Sequence, residues 1–434
     1  MFIADKYLPL HKKERMAVAK EVFRLLIREG QETIRDVELY DRPFEFEDHG
    51  RYVLVGVRQA GKSYMLYKRA KQLLAQGHQL EELVYIDFDD ERLLEMTYQD
   101  FDTILLTYRA VYQYKPIFLF DEIQNIDGWE HFARRLANQK YTVYITGSNA
   151  RMLSRDIHTT LGGRFTDEKI YPYSFAEYLG AQGIVPGREW AFGSERFTVY
   201  QMLEQYMLWG GFPELLLYRN KRRWLNDVYE KILLNDIILR NRIKNEMALR
   251  MTLKRLAESV TKPIAYNRIA NLIKGTGTST TTASVIQYVE AAKDACVILA
   301  LENYASKFAG RETIKKHYFV DNGLLSIFLT GTESPLLENL CAVHLSRKYG
   351  DRLYYYSRNS EVDFYVPDEK YAVQACVTLS DADTKDREVS ALMKLDRLEN
   401  LERMVIVTRD EKDSIPIPSG MTIEVLPAAE WLLE

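Results

Sequence analysis

Gly56-Val-Arg-Gln-Ala-Gly-Lys-Ser63 has the spacing G-x-x-x-x-G-K-[ST], and those residue types in that order cradle a phosphate chain. Glycines at both ends let the backbone curl until its N–H groups point inward at the start of a helix, whose dipole also favours an anion. Gly56, Arg58, Gln59, Ala60, Gly61 and Tyr64 are the loop residues expected around the nucleotide. Lys62 adds a point charge at the β/γ-phosphates, and the Ser63 hydroxyl is offered to Mg²⁺. The flanking elements are those the motif requires. Tyr52-Val-Leu-Val55 reads as a short buried strand, and residues 64–76 have helical spacing that stops at Gly77. A glycine turn that merely precedes Lys-Ser would need neither.

Three further stretches carry chemistry. Pro116-Ile-Phe-Leu-Phe-Asp-Glu122 is an apolar strand that delivers two carboxylates about 60 residues after the loop. Asp121 is expected to hold Mg²⁺ through water, and Glu122 to act as general base on the attacking water. Tyr141-Thr-Val-Tyr-Ile-Thr-Gly-Ser-Asn149 is another buried strand with a polar end. Ser148 or Asn149 would there sense the γ-phosphate, the alternative being that both cap the next helix. Leu161-Gly-Gly-Arg-Phe165 places Arg164 on a glycine turn, as an arginine finger acting in cis or on a neighbouring subunit, or as an ordinary surface arginine.

The elements that must position these groups alternate strand and helix. Residues 83–88 read as a strand and 101–112 as a helix, the pattern of an α/β parallel sheet. Before the loop, an apolar stripe through Met16, Phe23, Leu26 and Ile27 reads as a helix up to about residue 40. A chain of 434 residues implies two to four domains. Its 47% hydrophobic and 28% charged residues fit a globular protein. Apolar runs fall far short of the roughly 20 residues that span a bilayer, and no uninterrupted apolar core opens the chain. Three cysteines without a C-x-x-C pair fit a reducing compartment as buried free thiols, so a cytoplasmic location without membrane attachment is expected. Net charge is −4, yet residues 219–256 hold eleven Lys/Arg against four acids, a candidate face for non-specific DNA or a solvated face of salt bridges.

GVRQAGKS, YIDFDDERL, IFLFDEIQNIDGWE, YITGSNARML, LGGRF, YPYSFAEYL and WGGFPE occur in one order along the chain. In this the sequence resembles prokaryotic AAA+ type ATPases whose C-terminal half is a domain of unknown function. The resemblance implies a P-loop NTPase core, a helical lid, a winged-helix-like region and a C-terminal α/β domain similar to the restriction-endonuclease (PD-(D/E)XK) fold. It also implies that Lys62, Ser63, Asp121, Glu122 and Arg164 have the roles argued above. The corresponding boundaries are a brace at 1–40, the core at 41–172, the lid at 173–235, the winged-helix-like region at 236–330 and the last domain at 331–434. ATP and Mg²⁺ are the implied cofactors, and no motif names a client.

In the lid, Trp209-Gly-Gly-Phe-Pro213 reads as a nucleotide-sensing hinge or a tight helix–helix turn. Residues 262–273 read as one amphipathic helix and 280–292 as a second, followed by strands, an order similar to helix-turn-helix DNA readers. The second helix lacks Arg and Lys at its start, so protein packing is expected ahead of DNA reading. In the last domain Glu338 and Asp363 match the acids of a nuclease pattern, whereas Gln374 and Cys376 stand where an acid and a lysine are needed. The fold without the cut is expected, with Lys370 and Lys348 as the nearest substitutes in sequence. The C-terminal half is thus the candidate surface for a protein partner, and Arg164 leaves a homo-oligomer open.

Overall fold

The computed structural model describes residues 18–434 except 41, 154, 308–309, 311–312 and 330–332. Met16 and the rest of residues 1–17, expected to start the brace, lie outside the described residues. The brace helix runs Lys20–Asp36 and lays Phe23, Leu26, Ile27 and Ile34 on the sheet. It stops short of residue 40 because the apolar stripe runs out at Ile34, and Val37 turns to extended backbone.

Five parallel strands form the core sheet: β1 Tyr52–Val55, β2 Leu83–Asp87, β3 Ile117–Asp121, β4 Thr142–Gly147 and β5 Thr166–Lys169, in the order β2-β3-β4-β1-β5. β1 to β4 are apolar runs buried on both faces, as parallel sheets require. β5 reads Thr-Asp-Glu-Lys and was invisible to periodicity: as an edge strand it is held by its backbone register with β1. The helix after the loop is Lys62–Ala75.

Helices Phe175–Gly180, Glu195–Trp209 and Lys221–Lys231 follow, the last running on into a π-helical segment, Ile232–Leu239. The Trp209-Gly-Gly-Phe-Pro213 break is a packed junction. Gly210 has φ +76 and ψ −165, open essentially to glycine alone, and a Cβ there would lie 1.9 Å from Asp321 Oδ1. The Gly211 N–H donates to Asp321 Oδ2 at 2.7 Å, and its carbonyl accepts from Tyr173 N at 2.7 Å.

Next come helix Glu246–Glu258, β6 Ile264–Ala265, helices Tyr266–Lys274 and Thr282–Asp294, β7 Ile298–Leu301 and β8 Ile314–Phe319, with sheet order β6-β8-β7. Residues 262–273 are therefore not one helix. Ile264 and Ala265 pair with β8, and the residues after Pro263 enter the small sheet before the helix begins.

In the last domain, helix Glu333–Tyr349 precedes β9 Tyr354–Ser357, β10 Glu361–Val366, β11 Tyr371–Ala375, helix Ala382–Glu399 and β12 Arg403–Thr408. β9, β10 and β11 are antiparallel neighbours, and β12 joins β11 in parallel through the helix. The closing stretch around Pro416 forms β13 Asp413–Pro416, β14 Thr422–Pro427 and helix Ala428–Leu432.

Two expectations from charge and cysteine change here. In the basic stretch, Arg222 donates to the carbonyls of Ser326 and Ile327, Arg250 pairs with Glu230 and Glu246, and Arg255 pairs with Glu258. These contacts lie at or near the surface, so part of the stretch is the face of salt bridges that the sequence also allowed. All three cysteines are free thiols, but only Cys341 is fully buried. Among the described residues no helix is long and apolar enough to cross a membrane. Replacing Gly210 by Ala should cost at least about 2 kcal/mol in urea denaturation, from the forbidden backbone angle and the clash with Asp321 together.

Candidate nucleotide site

The glycine loop opens at the carboxyl edge of β1, between β4 and β5. Gly56 is required by close approach, since a Cβ would lie 1.9 Å from Ile170 O. Gly61 stands at φ +94 as the N-cap of the following helix. Arg42 fastens the loop from outside: Nη1 donates to Ala60 O at 3.1 Å, while Nε and Nη2 reach the two oxygens of Glu177 at 2.7 and 3.1 Å. Burial alone would raise the Glu177 carboxyl, yet the guanidinium holds it below its ordinary value.

Lys62 Nζ donates to Val57 O at 3.2 Å and lies 3.3 Å from Glu122 Oε1. Glu122 follows β3 with φ +50, and this strained angle turns its side chain toward the loop. Its N–H donates to Thr146 Oγ1 at 3.1 Å. Burial opposes its charge, but Lys62, with help from Gln124 and Arg58, brings its carboxyl down to about 2. Asp121 is fully buried. It accepts from Tyr85 OH at 2.8 Å, from the Thr146 hydroxyl and from Ser63. Burial and the adjoining Glu122 charge together push its pKa up.

Ser148 is buried in this group. Its N–H donates to Glu122 Oε2 at 3.3 Å, and its hydroxyl lies 3.5 Å from Asp236 Oδ1. Asn149 instead accepts from Arg151 N at 3.0 Å, so the two candidates divide between site and cap. Asp236 is a site residue that sequence reasoning missed. It sits on the π-helical segment, only 2% exposed, and accepts from Arg58 Nε at 3.0 Å and from Arg240 Nη2 at 3.3 Å. A single acid in an apolar helix gives no signal, although π-segments gather at functional sites. Tyr85 and Thr146 were missed because both are ordinary strand residues.

Arg164 is not brought to this cluster. It is exposed, with Nη1 donating to Gly162 O at 3.0 Å, and it precedes β5, whose Thr166 pairs with Tyr52 at the beginning of β1. That is the amino edge of the sheet, opposite the loop. A role in cis is therefore corrected by the sheet geometry. Tyr64 is half-exposed and lines a cavity of about 240 Å³ beside Gly61 with Tyr40, Tyr173, Pro213 and Leu217.

Residues 48–179 match the family model described as an AAA domain, and residues 200–335 match a model described as a domain of unknown function (DUF8612). The core is a P-loop NTPase fold of the AAA type. An uncharacterized protein of Methanocaldococcus jannaschii is 29% identical over 432 residues, covering 95% of this chain and 96% of its own length. One from Haemophilus influenzae is 28% identical over 392 residues, 88% of this chain and 94% of its own. Among solved structures, a Walker-type ATPase of Pyrococcus abyssi is 15% identical with a TM-score of 0.42, covering 74% of this chain and 99% of that one.

Asp236, nearly buried, ties the π-helical segment to Arg58 of the loop. Asp236→Ala should cost about 3 kcal/mol in urea denaturation, because it removes the nearly buried acid shared by Arg58 and Arg240 and leaves Arg58 only the more distant, exposed Asp89. A loss below about 0.5 kcal/mol would reduce the contact to a surface ion pair.

Proposed function

We infer that the AAA domain binds Mg·ATP and hydrolyses it, and that hydrolysis moves the lid and the C-terminal half. The observation that carries this reading is the convergence of Lys62, Ser63, Asp121, Glu122 and Ser148 on one edge of the sheet, closed over by Asp236 and Arg240. The Ser63 hydroxyl and the Asp121 carboxylate form an oxygen donor pair suited to Mg²⁺, which takes the rest of its shell from water and phosphate. Bound there, Mg²⁺ supplies charge neutralisation at the β/γ-phosphates. Gln59 Oε1 and Gln124 Oε1 are buried beside this group without a hydrogen-bond partner, in keeping with a polar guest.

Lys62 has one ammonium and two claims on it. Once its charge turns to the phosphates, Glu122 loses the cation that lowers its pKa and becomes a better base for the attacking water. The cavity lined by Tyr64, Tyr173 and Leu217 suits the base. Motion has a physical route. Arg347, on helix Glu333–Tyr349 of the last domain, lies 3.5 Å from Glu177 Oε2, the same carboxylate that holds Arg42 on the loop.

The element order and sheet of β6–β8 support a winged-helix-like region, and the order from helix Glu333–Tyr349 to β12 supports a restriction-endonuclease-like domain. The exposed start of helix Thr282–Asp294 carries Thr281 and Thr282 without a basic residue, which favours a protein partner over DNA. A slow nucleotide-gated switch is the second reading, favoured by the Lys62–Glu122 pair and the Asp236 contacts that a nucleotide must rearrange. Arg164 serves a neighbouring subunit in a homo-oligomer.

Calorimetry and phosphate release test this. Lys62→Ala should lose nucleotide binding, and Glu122→Gln should keep binding while turnover falls at least about a hundredfold, the scale of a general base. Binding without measurable turnover in the wild type selects the switch. Arg164→Ala alone should lower turnover at least tenfold, within the about 10³–10⁵ range of arginine fingers. Mixed with Lys62→Ala it should regain activity, because each protomer supplies what the other lacks. Full activity of Arg164→Ala would return that residue to the surface.

A further inference from the structure

Lys316, on β8, is 0% exposed, and its ammonium lies at the centre of three carboxylates. Nζ is 2.8 Å from Glu361 Oε1, 2.9 Å from Asp363 Oδ1 and 3.1 Å from Glu338 Oε1. Nζ donates to Glu338 Oε1 and Asp363 Oδ1, and Glu361 completes the group as an ion pair. The ring of Tyr355 faces the same charge at 5.9 Å. The lysine comes from outside the last domain, whereas all three acids lie on its first helix and on β10.

This corrects the expectation from sequence distance. Lys370 pairs with Glu402 at 3.3 Å, and Lys348 rests over the ring of its neighbour Tyr349 at 5.3 Å. Neither reaches the acids. Gln374 is spent on the backbone of β10, accepting from Asp363 N at 2.8 Å and donating to Glu361 O at 3.1 Å. The second oxygen of Asp363 accepts from Ala375 N at 3.1 Å, and Tyr318 OH donates to Glu338 Oε1 at 2.8 Å. Asn339 bolts the helix to the end of β8, accepting from Phe319 N at 2.7 Å and donating to Phe319 O at 3.0 Å. Among the described residues no group of three or more His, Cys, Asp or Glu is arranged to hold a metal ion.

We propose that Lys316 is the built-in cation of the last domain: its ammonium takes the place among Glu338, Glu361 and Asp363 that a divalent ion would need, and pins the domain to the small β6–β8 sheet. Glu338 is buried and Asp363 half-buried, and acids so placed need a cation; the one present is covalently part of the chain. The domain then has neither a metal site nor a lysine free to orient water, so it docks without cutting. Only this last step rests on the restriction-endonuclease-like reading; the pinning is independent of ATP and of DNA.

The test uses full-length protein without nucleotide, stripped with chelator and titrated with Mn²⁺ by calorimetry. Wild type and Asp363→Asn should give the same isotherm. Lys316→Met keeps the length and removes the charge; it should lower the thermal midpoint by about 5 °C or more, bind one further Mn²⁺ per chain and recover stability with it. Lys316→Met/Asp363→Asn should lose that Mn²⁺. Wild type that binds more Mn²⁺ than Asp363→Asn overturns the proposal, as does folded Lys316→Met that binds no more than wild type. Amine acetylation of the native wild type, read by mass spectrometry, covers a variant that fails to fold: Lys316 should resist labelling until the chain is unfolded, and labelling at the rate of surface lysines overturns the proposal. Mn²⁺ binding and lysine labelling are read without ATP, so their failure is distinct from failure of the ATPase reading.

Discussion

Asp121 and Glu122 are adjacent acids buried at the end of one strand, and two like charges cannot stay ionised there without cations close by. Lys62 answers Glu122 directly. Asp121 is held by three hydroxyls, from Tyr85, Thr146 and Ser63, and its pKa still stands above the ordinary value. An Mg²⁺ ion beside Ser63 would relieve that imbalance, which is why this edge of the sheet suits a metal–phosphate ligand. The loop, the order of the strands and the elements behind them all serve to keep these charges in register.

The same kind of constraint joins the parts of the chain. Each junction is built on a buried or half-buried acid shared between elements: Glu177 between Arg42 and Arg347, Asp236 between Arg58 and Arg240, Asp321 between the lid junction and the backbone beyond β8. Such pairs add little net stability where they are intact, but breaking one is costly. They therefore specify arrangement.

The cluster around Lys316 extends the pattern into the last domain. Its acids have a fixed internal partner, unlike those of the nucleotide site, where Lys62 can be shared.

The phosphate loop, β1 to β4 and the pair Asp121–Glu122 were legible in sequence because each is local: a spacing of glycines, a run of apolar residues, a carboxylate after a strand. β5 was not, since it is largely exposed and Thr-Asp-Glu-Lys has no apolar period. Asp236, Thr146 and Lys316 were not, because each matters through a partner far away in sequence: Asp236 lies 178 residues from Arg58, and Lys316 lies 47 from Asp363. In the basic stretch at 219–256 composition counts charges without their partners, and only the structure shows that Arg250 and Arg255 stand in surface ion pairs. Sequence alone determined which chemistry this protein carries, because phosphate and metal ligands come as short motifs with fixed spacing. Tertiary structure alone decided which buried charge faces which, because a charge in a low-dielectric interior is governed by its nearest neighbours in space, and these come from distant parts of the chain.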